Sequence, residues 1–203
     1  MKRTLIAMAA GGLLLSGCSS SDGQPVAEMQ PTEAPVATTT AATTTAAATT
    51  TFGTPANDRD NRVKAFGEES GTGCDDSPES CAVRWTLDTP VDATGCSPDE
   101  PTENGRLIAI PISVQTGTGQ DLGPFNSLFN PNSFSALRAD GITLPQVATF
   151  AAYTCDESNA RVPDNFAPAS KYEGMVVLDV PADAQAVIFR PVSSETGWEW
   201  PLG

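Results

Sequence analysis

From about Phe66 onward, apolar and polar residues alternate in short runs broken by Gly, Pro, Asn and Asp, the mark of strands half-buried against a core. Val83, Trp85 and Leu87 share one face, with Ala82, Arg84, Thr86 and Asp88 on the other. Ile108, Ile110, Ile112 and Val114 line a second apolar face. Pro111 points away from it and predicts an edge strand or a bulge, because proline cannot donate to a ladder. Residues 133–139 run into Asp140 and Gly141, a hairpin signal, and residues 142–153 continue beyond the turn. Val176, Leu178 and Val180 alternate, Val187 and Phe189 do the same, and Trp198 and Trp200 project on one side of a closing strand. No stretch of ten or more residues sustains a helical period. About seven short strands in residues 62–203 predict an all-β fold, an antiparallel β-sandwich.

The chain starts with a different pattern. Lys2 and Arg3 precede an apolar run from Leu5 to Leu15, which suits a signal peptide and is short for a membrane span of about twenty residues. Leu15, Ser16, Gly17 and Cys18 then form a bacterial lipobox. The spacing predicts a lipoprotein signal over residues 1–17, cleavage before Cys18, and a diacylglycerol thioether on that cysteine. Two or more acyl chains give stable anchoring, at roughly 0.8 kcal/mol per buried methylene. Residues 18–61 carry Pro25, Pro31, Pro35 and Pro55 and a block of Thr and Ala from Thr38 to Thr51. So few large apolar side chains cannot offset the entropy of ordering, which predicts a disordered tether; its Thr clusters are candidate O-glycosylation sites.

Charge narrows the partners. The 203-residue chain holds 11 Lys and Arg against 25 Asp and Glu. Removing residues 1–17 takes away Lys2 and Arg3, leaving nine cations and a formal charge of −16. Nucleic acid and anionic lipid headgroups are disfavoured by such a surface, since both bind largely through Lys and Arg. The expected membrane contact is therefore the acylated Cys18 alone. The chain has no histidine, the commonest general base and a frequent metal ligand. A Ser/His/Asp or Cys/His arrangement is excluded, and a Ser–Lys pair would have to draw on Lys171, because Lys64 stands at the edge of the tether.

With Cys18 acylated, Cys74, Cys81, Cys96 and Cys155 remain. An even number in an exported domain implies two disulfides with three connectivities open. Cys74–Cys81 with Cys96–Cys155 is favoured, the first closing an acidic turn and the second tying the loop before one core strand to the end of another. Zinc is the rival reading, but the spacings match no zinc knuckle. Asp75, Asp76 and Glu79 crowd one loop, and Asp99, Glu100 and Glu103 another. Solvated acidic loops are the first reading, ahead of Ca²⁺ ligation or carboxylate catalysis, and neither follows the spacing of an EF-hand loop. Phe125, Phe129 and Phe134 in a Pro/Asn-rich stretch, with Trp198 and Trp200, are read first as core and second as an exposed partner surface.

Several short motifs fall in a familiar order: Phe66-Gly67-Glu68, Thr89-Pro90-Val91, Gly105-Arg106-Leu107-Ile108, Ala139-Asp140-Gly141, Tyr172-Glu173-Gly174, and the exit from Leu178 through Asp179-Val180-Pro181 to Ala184. Over residues 66–203 this order resembles a family of immunoglobulin-like domains found on actinobacterial lipoproteins and in a small secreted immunogenic mycobacterial antigen. Where the family usually places a polar Asn after the central strand, this chain has Gln115-Thr116-Gly117-Thr118-Gly119. The resemblance implies an immunoglobulin-like sandwich and no particular activity. The expected function is that of a non-catalytic interaction module, held on the extracytoplasmic face of the membrane and engaging an envelope protein, without cofactor or metal. The alternatives are a carrier or sensor of a small apolar or glycan ligand and, further off, a carboxylate-dependent hydrolase.

Overall fold

The computed structural model describes residues 55–75, 77–192 and 194–203; Cys18, the signal, most of the tether and Asp76 lie outside them. Among the described residues, ten strands form two sheets packed face to face, a β-sandwich. One sheet runs β1 (Asn61–Val63), β10 (Gly197–Pro201), β9 (Ala184–Phe189), β6 (Phe134–Arg138) and β7 (Thr143–Leu144). The other is built on β5 (Gly105–Thr116). Along one side of β5 lie β3 (Val83–Leu87), itself flanked by β2 (Glu69–Thr72), and then β4 (Val91–Asp92); along the other runs β8 (Lys171–Pro181). All pairs are antiparallel except β1 with β10. The sequence shows about seven strands because β1, β4 and β7 have only two or three residues, too few to display an alternation.

The alternating positions become the core. Trp85, Leu87, Ile108, Ile110 and Ile112 of one sheet face Phe134, Val187, Phe189 and Trp200 of the other, all buried. Trp85 meets Trp198 edge-on with centroids 4.8 Å apart, and Phe134 stacks on Phe189 at 4.7 Å. Burying each such side chain is worth roughly 1.5–3 kcal/mol.

Several expectations are corrected. Pro111 lies in a central strand, not at an edge or bulge. It stands where β3 has ended at the Leu87–Ile112 pair and β4 has not begun at Val91–Ala109. Its nitrogen faces that gap, while its carbonyl accepts from the Asp88 N–H at 2.9 Å. Residues 142–153 are strand only over Thr143–Leu144 and end in one helical turn, α1 (Phe150–Tyr153). Lys64 is buried rather than at the edge of a tether, its ammonium 2.7 Å from Glu68 Oε1.

The folded part also begins upstream of residue 62, because β1 takes in Asn61 and residues before it reach β10. Glu199 accepts from Arg59 at 2.6 and 3.1 Å and from the side-chain amides of Asn57 and Asn61, each at 3.1 Å. Burial pushes this carboxyl up. The hydrogen bonds from Arg59, Asn61 and Asn57, with the charge of Arg59, outweigh burial and hold it below the usual carboxylate range.

Candidate functional site

The five aromatics read first as core and second as a partner surface lie in the core. Phe125, Phe129, Phe134, Trp198 and Trp200 are all buried, Trp200 completely. The cause is the closed end of the sandwich, where residues 122–134 fold inward and Phe129 stacks on Phe189 with centroids 5.4 Å apart.

The surface feature lies elsewhere, on the outer face of the sheet built on β5. There Ala109 and Val177, directly paired across β5 and β8, are covered by residues 147–162, which run over the sheet as a strap. The Val147 carbonyl accepts from the Asp179 N–H of β8 at 2.8 Å. Thr149 caps α1 by accepting from Ala152 N, and its hydroxyl donates to Asp179 Oδ2 at 3.0 Å. A single helical turn needs such outside anchoring, since isolated short helices are unstable in water. Ala151 and Ala152 face inward, small enough for close approach, so Phe150 and Tyr153 face out, 64 % and 40 % exposed. The Arg161 guanidinium sits 5.9 Å from the centre of the Tyr153 ring.

Several ties hold the strap. Cys155 is bonded to Cys96, and Cys74 is bonded to Cys81 at the far side of the same sheet. The Glu157 carboxylate accepts from Thr94 Oγ1 at 2.6 Å and from Thr94 N at 3.0 Å. The hydroxyl bond outweighs the opposing effect of burial and holds Glu157 below the usual carboxylate range. Asp179, fully buried, accepts from Glu103 N at 2.7 Å and Asn104 N at 3.3 Å as well as from Thr149. It therefore pins residues 103–104 and the strap to one point on β8. After Cys155 the strap turns inward, and Val162 enters the core beside Gly174. A Cβ on Gly174 would stand 2.5 Å from Val162 N and 2.8 Å from Ala160 O, so only glycine admits the crossing.

These ties gather one of the acidic clusters seen in the sequence. The Ser97 N–H donates to Thr154 Oγ1 at 3.4 Å, tying to the strap, which carries Asp156 and Glu157, the segment that carries Asp99, Glu100 and Glu103. Among the described residues none of these five forms an ion pair. Asp75 and Glu79 remain apart, within the Cys74–Cys81 loop. Among the described residues no group of three or more carboxylates or thiols is arranged to hold a metal ion. Open grooves mark the surface, two of them of similar volume. One of about 590 Å³ borders the strap between Pro111, Met175 and Arg161. The other, of about 570 Å³, lies at the closed end between Leu128, Pro191 and Val192.

Phe150, Tyr153, Arg161 and Asp179 were not candidates from sequence. Asp179 did leave a signal, as a lone carboxylate in the apolar run Val176–Val180. The outward aromatics left none, because Ala and Tyr beside Thr fit a strand equally well. No protein-family model matches the chain, and no curated protein matches it. Among solved structures it is similar to MPT63, a secreted protein from Mycobacterium tuberculosis, with 14 % identity, 70 % of this chain and 97 % of that one covered, and a TM-score of 0.47. A likeness at that level assigns neither a family nor an activity.

Proposed function

We propose that this protein is a cell-envelope lipoprotein, anchored through acylated Cys18 on the extracytoplasmic face, whose β-sandwich is a non-catalytic protein-interaction module. The observation that carries this reading is the strap, a disulfide-fastened layer presenting Phe150 and Tyr153 to solvent on a rigid frame. Aromatic residues and arginine dominate binding energy at protein interfaces, and a surface held rigid before binding loses less entropy on association. Two disulfides favour an oxidising, extracytoplasmic location. The lipobox ending at Cys18 supports the anchor.

A photo-crosslinking residue at Phe150 in intact cells tests the module, with one at the similarly exposed Ile142 as control. A discrete protein adduct from position 150 alone is expected; identical labelling from both positions would remove the reading. The anchor is tested separately by Cys18→Ser, which should move the protein from the membrane fraction to the soluble one. A small-ligand carrier is the second reading, supported by the groove between Leu128, Pro191 and Val192. Soaking with apolar probes and following the Leu128 methyl resonances would distinguish it.

A further inference from the structure

The strap's charge environment narrows the partner. Phe150 and Tyr153 stand exposed on a strap that itself carries Asp156 and Glu157 and is tied to the segment carrying Asp99, Glu100 and Glu103, and among the described residues none of these five carboxylates forms an ion pair. Arg106 is the nearest charge of opposite sign in sequence to Glu103, and Arg161 is placed over Tyr153. Five carboxylates held by Cys96–Cys155, Thr94 and Asp179 cannot disperse as they would on a free loop. An incoming positive charge would find them unpaired.

We infer that the strap takes a cationic protein segment, one that seats an apolar side chain between Phe150 and Tyr153 and brings Lys or Arg to the carboxylates of residues 99–103 and 156–157. This deepens the interaction-module reading and rests on it. Charge complementarity selects the occupant. An anionic bilayer or a nucleic acid would set like charge against like, and a neutral partner would leave the carboxylates desolvated and unpaired at its rim. The aromatics supply the desolvated centre and the carboxylates the steering rim, so salt should weaken binding mainly by slowing association.

The full chain, isotopically labelled, is titrated with three short synthetic peptides in which leucine alternates with lysine, with glutamate or with serine. The Leu/Lys peptide is expected to shift the amides of residues 150–157 and 99–104, with affinity falling about tenfold between about 50 and 500 mM salt. The double variant Phe150→Ser, Tyr153→Ser, which alters only exposed side chains, should lose about tenfold in affinity, as expected for removing two central aromatic contacts. Equal shifts in the amides of residues 75–80, an acidic loop with no exposed aromatic, would reduce the effect to unspecific charge and overturn the inference. If the Leu/Glu or Leu/Ser peptide shifts the strap as well as Leu/Lys does, the cationic partner is wrong while the docking surface stands. If no peptide shifts the strap, the inference and the docking surface fall together.

Discussion

The Cys74–Cys81 bridge joins residues seven apart and the Cys96–Cys155 bridge residues 59 apart, yet both sit beside acidic loops of similar composition. Around the first, most hydrogen bonds stay within the loop: Ser80 Oγ accepts from Asp75 N and donates to the Ser77 carbonyl, and Gln120 reaches in to the Ser80 carbonyl. Around the second, local bonds are joined by long-range ties: Thr94 to Glu157, Ser97 to Thr154, residues 103–104 to Asp179. The short bridge trims the freedom of one turn. The long one fastens an extra layer onto a sheet, and among the described residues only that layer displays exposed aromatics. Similar acidic sequence therefore has different consequences according to what the cysteines connect.

Replacing both Cys96 and Cys155 with Ala gives the largest expected loss, about 4 kcal/mol from chain entropy for a loop of this length, read as a lower urea midpoint. Asp179→Ala should cost about 3 kcal/mol, because it strands three donors that meet one buried carboxylate. Amide hydrogen exchange should then rise at residues 103–104 and 147–153 while residues 74–81 stay protected. Removing Cys74 and Cys81 together should cost about 2.5 kcal/mol and leave strap exchange unchanged. A strap loosened by that change would mean that the two regions are coupled rather than independent. Gly174→Ala should cost about 2 kcal/mol by forcing the strap off β8, with calorimetry as the check.

The smallest effect concerns acid. Glu199 has its carboxyl held below the usual range in the folded state, so its contribution is present above the unfolded value and is lost as pH falls through the depressed folded one. Arg59→Gln should shrink that acid-side loss, measured as a flatter stability profile below about pH 4.5.

Much of the sandwich was legible because β3, β5, β8 and β9 are long enough to repeat their alternation. Tyr172-Glu173-Gly174 stood out in the sequence, and its glycine has a steric cause in the passage of residues 160–162. The two disulfides were legible from cysteine number and position. What stayed hidden was set by tertiary contacts. Phe150 and Phe129 are the same residue type, yet one is 64 % exposed and the other 8 %, and nothing local separates them. Their difference comes from the buried Ala151 and Ala152 of α1, the second packing with Ala109 and Val177. Glu199 alternates with Trp198 and Trp200 as an outward polar residue should, but it is buried because Arg59 and Asn57 fold back over it.

The parallel pairing of β1 with β10 has a mechanical meaning. Asn61, Arg62 and Val63 lie alongside Gly197, Trp198 and Glu199 in the same direction, so the first strand and the last one point the same way. Tension applied between the two ends of the folded chain slides these strands past each other and loads their hydrogen bonds side by side, in shear. An antiparallel pairing at this position would open one bond at a time, like a zipper. The Arg59–Glu199 pair crosses the same seam and shares the load. A domain built this way resists being drawn out by its ends at forces that would peel apart a hairpin such as β6–β7.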